Sequence, residues 1–109
     1  MKITMLKPRI GVDAIGTYNP ETKECIVLKG SKVSDTISQA PTFRGAKTVK
    51  KVREETVENS IVTKDVAFKS CSTAGNYVTG RSTDGFASWR VENGKTLRAY
   101  LNSKATPNK

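Results

Sequence analysis

The side chains in this sequence best placed to do chemistry are cations. Arg44, Lys47, Lys50, Lys51 and Arg53 crowd one short window, and on a helix Arg44, Lys47 and Lys51 (i, i+3, i+7) form a single solvent-facing row. Such a row suits the phosphate backbone of a nucleic acid; a basic face that is merely solvated is the alternative. Arg81, directly after Gly80, could bind phosphate or satisfy carbonyls at a helix end. Arg90, beside the lone Trp89, and Lys95 complete the candidate contacts. Trp89 and its arginine could stack a base, although a single Trp in a small domain is expected to anchor the core.

Other chemistries lack their parts. The sequence has no histidine, which removes Ser-His-Asp and Cys-His catalysis. With only Cys25 and Cys71 it also removes ordinary zinc sites. Cys71 at a helix start would be acidified if exposed, but no base stands near it and packing is the expected role. Asp65 and Asp84 are too isolated for a carboxylate pair. The expectation is a protein with no enzymatic activity, no metal and no cofactor.

The charge balance points the same way. Nineteen basic against ten acidic residues give +9, with an isoelectric point near 9.8. The field is lopsided: residues 1–53 carry 11 basic and 4 acidic side chains, a net +7, against +2 for residues 54–109. Anionic partners follow, nucleic acid first, an acidic protein second and a membrane surface third. A chain of 109 residues fits one domain. No apolar run approaches a membrane span, and "MKITMLKPRI" lacks the apolar core of a secretory leader. A cytoplasmic protein with reduced thiols is expected.

The elements that must position these residues are legible in outline. "RIGVDAIGTY" (9–18) alternates Ile10, Val12 and Ala14, the mark of a half-buried strand. "NPETK" supplies a turn and "ECIVLKGS" a second strand, so residues 9–30 read as a β-hairpin. "SKVSDTISQAP" reads as a loop. "TFRGAKTVKKVREETVEN" (42–59) reads as a helix, with Thr42 as N-cap, Asn59 as a left-handed terminator, and Phe43, Ala46, Val49 and Val57 facing the core. "SIVTKDVAFKS" is extended, with Val66 and Phe68 pointing inward. Ser70 caps a short helix through Ala74, Tyr77 and Val78 that Gly80 ends. "STDG" (82–85) is a turn, "FASWRV" alternates as a strand, "ENGK" is a second turn, and Thr96 caps a last helix, "LRAYLNSK". The helix bases precede Glu54, Glu55 and Glu58, an order the macrodipole disfavours by about 0.3–1 kcal/mol per well-placed charge. Helix energetics therefore do not explain why the bases sit there.

The last third also carries a motif. Phe68, Ser70, Ser72, Ala74, Tyr77, Val78, Gly80, Arg81, Ser82, Gly85, Trp89, Val91, Gly94, Lys95 and Leu97 resemble a bacterial and phage domain of unknown function commonly appended to GIY-YIG nucleases and other restriction-like proteins. The pattern is similar, more distantly, to the restriction-enzyme adenine-methylase-associated domain. "CIVLKGSKV" (25–33) resembles the same family's strand and turn, so the likeness spans about residues 9–101. Where that family usually opens the helix with Ser-Pro-Ser-Ala-Ala, this chain has Ser70-Cys71-Ser72-Thr73-Ala74, and Gly75 then costs about 1 kcal/mol of helix propensity relative to Ala. The resemblance implies a restriction or nuclease context.

Together these readings predict an α+β protein: an N-terminal β-hairpin, a central basic helix, and short strands with two short C-terminal helices. Residues 1–8 are expected to be a lead, 9–101 the domain and 102–109 a flexible tail. The expected function is a non-catalytic accessory module that binds DNA through Arg44, Lys47, Lys50, Lys51, Arg81, Arg90 and Lys95, beside a separate nuclease or methylase. The alternative is a small protein-interaction or inhibitor module that docks on an acidic or DNA-handling protein.

Overall fold

The computed structural model describes residues 1–38, 43 and 45–105, with side chains to Asn102. In chain order it contains β1 (Lys2–Lys7), a 3-10 turn (Pro8–Ile10), β2 (Val12–Tyr18), β3 (Cys25–Val27), α1 (Ala46–Thr56), β4 (Val57–Glu58), β5 (Ile61–Val62), β6 (Val66–Phe68), α2 (Cys71–Thr79), α3 (Gly85–Ser88) and α4 (Leu97–Ala105). The class is α+β, as the sequence predicts.

Period-2 alternation builds the sheet. Val12, Ala14, Gly16 and Tyr18 of β2 face inward, as do Ile3 and Met5 of β1 and Cys25 and Val27 of β3. The strands are ordered β1-β2-β3-β6, and every pairing is antiparallel. Residues 1–8, read from sequence as a lead, therefore supply the longest ladder of the sheet, Lys2↔Thr17 through Lys7↔Val12. Their alternation is broken at the end of the strand, where apolar Leu6 faces outward and Lys7 takes the inward register of Ile3 and Met5. The outward face of the sheet keeps Leu6 67% exposed, with Ile15 on the neighbouring strand.

α2 lies across the inner face, with Cys71, Ala74, Tyr77 and Val78 in the core beside Trp89 and Leu97. Its ends behave as the sequence predicts. Ser70 accepts a hydrogen bond from the Thr73 amide (3.1 Å), and Gly80 ends the helix at φ +71°. The Tyr77 ring lies 5.0 Å from that of Phe68, and its hydroxyl 2.6 Å from Thr56 Oγ1.

Three readings need correction. The central helix runs only from Ala46 to Thr56, because Val57 and Glu58 turn extended and pair with Val62 and Ile61. Asn59 and Ser60, at φ +52° and +65°, make the two-residue turn between them, the left-handed pair that such hairpins require. The N-cap assigned to Thr42 lies outside the described residues. "FASWRV" is not a strand: Asp84 Oδ1 accepts from the Phe86 and Ala87 amides (3.1 and 3.4 Å) and winds Gly85–Ser88 into a helical turn. Only Arg90 regains sheet pairing, with Thr4 and Thr96. Gly85 is required there, since a Cβ would run into the Cys71 carbonyl. Last, the helix predicted from Leu97 extends to Ala105, so residues 102–105 are helical where a flexible tail was expected from residue 102; 106–109 lie outside the described residues.

Candidate nucleic-acid interface

The inward face of α1 is not the apolar stripe the periodicity suggests. Phe43 and Val49 are buried, Ala46 and Val57 only half-buried, and the remaining buried positions of the helix are Arg53 and Thr56. Arg53 is directed at the carboxyl end of α2. Its Nε donates to Tyr77 O (2.8 Å), Nη1 to Ser34 O (2.8 Å), and Nη2 to Ser34 Oγ (3.0 Å) and Val78 O (3.2 Å). Burial pulls its pKa below the ordinary guanidinium value, while Tyr77 and Asp35 act the other way.

The last carbonyls of α2 can thus be accounted for one by one. Asn76 O receives the Gly80 amide, Tyr77 O receives Arg53, Val78 O receives both the Ser34 amide (2.9 Å) and Arg53, Thr79 O receives the Ser34 hydroxyl, and Gly80 O receives the Ser38 amide. A cation at a helix carboxyl end is where the macrodipole favours one. Arg53 fills the capping role that the sequence left open for Arg81. Its signal was present in the spacing 49–53–56, but a charged residue is discounted when a buried face is sought.

Lys47, Lys50 and Lys51 are exposed on the outer side of α1. Lys47 and Lys50 line a groove of about 760 Å³ with Arg53, Glu54, Asp35 and the 34–38 loop. Arg44 lies outside the described residues. Arg81 is also exposed, and belongs to a second groove of about 570 Å³. One wall of that groove is the 3-10 turn, with Lys7, Arg9 and Ile10; the other is the link after α2, with Arg81, Ser82 and Thr83. The link is pinned from α2: Asn76 Oδ1 accepts the Thr83 amide (2.8 Å), and the Thr79 and Thr83 hydroxyls lie 2.7 Å apart. Both grooves border the carboxyl end of α2, because the 34–38 loop packs on Gly80 and Thr79 lines the second groove. Neither Lys7 nor Arg9 is among the sequence-predicted contacts: Lys7 falls in the expected lead, and Arg9 opens the stretch read as the first strand.

Arg90 and Lys95 sit apart from both grooves. The Arg90 Nη1 donates to Gly94 O (2.7 Å) and closes the 91–95 turn beside β1. The sequence-predicted contacts therefore fall into three groups instead of one face. Among the described residues the sole ion pair is Arg98–Asp84, at 2.7 Å; Asp35 and Glu54 share the first groove with Lys47 and Lys50 without pairing with them.

Trp89 is fully buried, and its Nε1 donates to Cys71 O at 3.0 Å; it anchors the core and cannot stack a base in this conformation. Both thiols are buried, and burial first of all pushes Cys25 up to about 12 and Cys71 up to about 11. Among the described residues no group of three His, Cys, Asp or Glu side chains gathers as a metal ion would require. No described helix is long and apolar enough to cross a membrane.

A family model matches residues 5–101. The chain belongs to the DUF4357 family, a domain of unknown function. The match begins inside β1 and ends in α4, so it takes in both walls of the second groove. No curated protein and no solved structure matches significantly.

Proposed function

We propose that this DUF4357 domain is a non-catalytic DNA-binding module that acts beside a separate nuclease or methylase, in a restriction-like setting. The observation that carries the reading is the set of exposed cations, Lys47, Lys50, Lys51 and Arg81, without ion partners among the described residues, in a chain of net charge +9. Phosphate contacts of this kind supply affinity and orientation without sequence readout. The high thiol pKa values and the lack of histidine support a role without nucleophilic catalysis.

Duplex titration at two salt concentrations tests the proposal. Log K should fall with log salt by about 0.9 per phosphate neutralised, and Lys47→Gln with Lys51→Gln should flatten that slope by about 2. No duplex binding at low salt would end the reading. A second reading, docking on an acidic or DNA-handling protein, is favoured by the open sheet face around Leu6 and Ile15. It would take over if a complex with such a protein survived nuclease treatment and were lost in Leu6→Asp.

A further inference from the structure

We infer that the groove between the 3-10 turn and the link after α2 holds a single nucleotide unit by its phosphate. Three cations, Lys7, Arg9 and Arg81, converge on it from separate elements, and none has an ion partner among the described residues. The lining includes one carboxylate, Asp84, but it is engaged elsewhere. Its Oδ2 accepts from Arg98 (2.7 Å), and its Oδ1 caps α3 through the Phe86 and Ala87 amides. The cationic charge of the groove is therefore not cancelled from within.

Shape and stiffness favour a small ligand. A volume of about 570 Å³ falls inside the range of about 300–1,000 Å³ typical of small-molecule sites. Pro8 and Ile10 give one wall an apolar surface, and Ser82 and Ser88 add hydroxyls. Two guanidinium forks suit the oxygens of a phosphate better than a lone carboxylate. Both walls are preformed: Gly11 closes the 3-10 turn at φ +78° with its amide on Pro8 O (3.2 Å), and Asn76 and Thr79 pin the link. Little ordering is then needed when the ligand enters. The choice of a nucleotide over another phosphate ester rests on the DNA-binding reading; the phosphate site itself does not. The nucleotide could be a strand end or a free mononucleotide, which share this chemistry.

Calorimetric titration of the full chain with deoxyadenosine monophosphate and with a 5′-phosphorylated single-stranded oligonucleotide tests the site. Arg9→Gln with Arg81→Gln should weaken both by about tenfold or more, while Lys47→Gln with Lys51→Gln should change monophosphate binding by less than about twofold. An oligonucleotide that binds about tenfold tighter than the monophosphate, and loses that margin without its 5′-phosphate, identifies a strand end; equal affinities identify a free nucleotide. If the wild type binds neither ligand, or the arginine variant binds like the wild type, the inference is overturned. Duplex titration of the same samples separates the two ideas: absent duplex binding removes the functional reading, whereas intact duplex binding with an unaffected arginine variant removes this site alone.

Discussion

Arg53 and Arg81 flank the same carboxyl end of α2, yet one is buried among carbonyls and the other stands exposed beside a groove. Arg53 spends its donors on Ser34, Tyr77 and Val78, which closes the helix end and ties α1 and the 34–38 loop to it. With those carbonyls taken, Arg81 has no capping work to do there. The pair teaches that net charge alone does not locate a binding surface in a basic protein. The backbone first claims the cations its helix ends require, and those remaining are the ones free for a partner.

The largest difference is expected when each arginine is removed in turn. Arg53→Met removes the donors that serve the Tyr77 and Ser34 carbonyls and should cost about 2–4 kcal/mol in denaturant unfolding. Arg81→Gln should stay within about 0.5 kcal/mol of the wild type. Equal losses in the two variants would erase the distinction.

A smaller effect sharpens the picture within the body of α2, away from either arginine. A Cβ at Gly75 would stand 3.5 Å from Thr83 Cγ2 and 3.6 Å from Gly85 Cα, ordinary contact distances. Gly75→Ala should therefore recover up to about 1 kcal/mol of helix propensity, read as a higher urea midpoint. A lower midpoint would show that the α2–α3 contact has no room to spare.

The smallest effect is electrostatic. The hydrogen bond from Arg98 holds the Asp84 carboxyl below its ordinary value of 3.8. A depressed folded pKa stabilises above the unfolded value and loses that contribution as pH falls through the folded one. From about pH 5 down to about pH 2 the wild type should thus lose slightly more thermal stability than Asp84→Asn. Superimposable melting-temperature profiles would contradict it.

Much of the fold was legible. The β2–β3 hairpin followed from alternation, and both ends of α2 from Ser70 and Gly80, since local capping chemistry acts over three or four residues. The strand misread over 86–91 shows the limit of periodicity. Trp89 and Val91 do alternate with Arg90, but the Asp84 side chain captured the two amides that precede them. The lysine row of α1 was visible for the same local reason, whereas the groove was not, because Lys7 and Arg9 meet Arg81 only across more than seventy residues of chain.

By itself the sequence determined the charge, the α+β class, the caps of α2 and the absence of histidine; these depend on composition or on neighbours a few residues apart. The tertiary structure alone decided which arginine is buried, which carbonyls it serves, and which cations converge on one groove. Those outcomes are set by packing between distant segments, where a buried carbonyl without a donor costs more than a solvated arginine gains by staying in water.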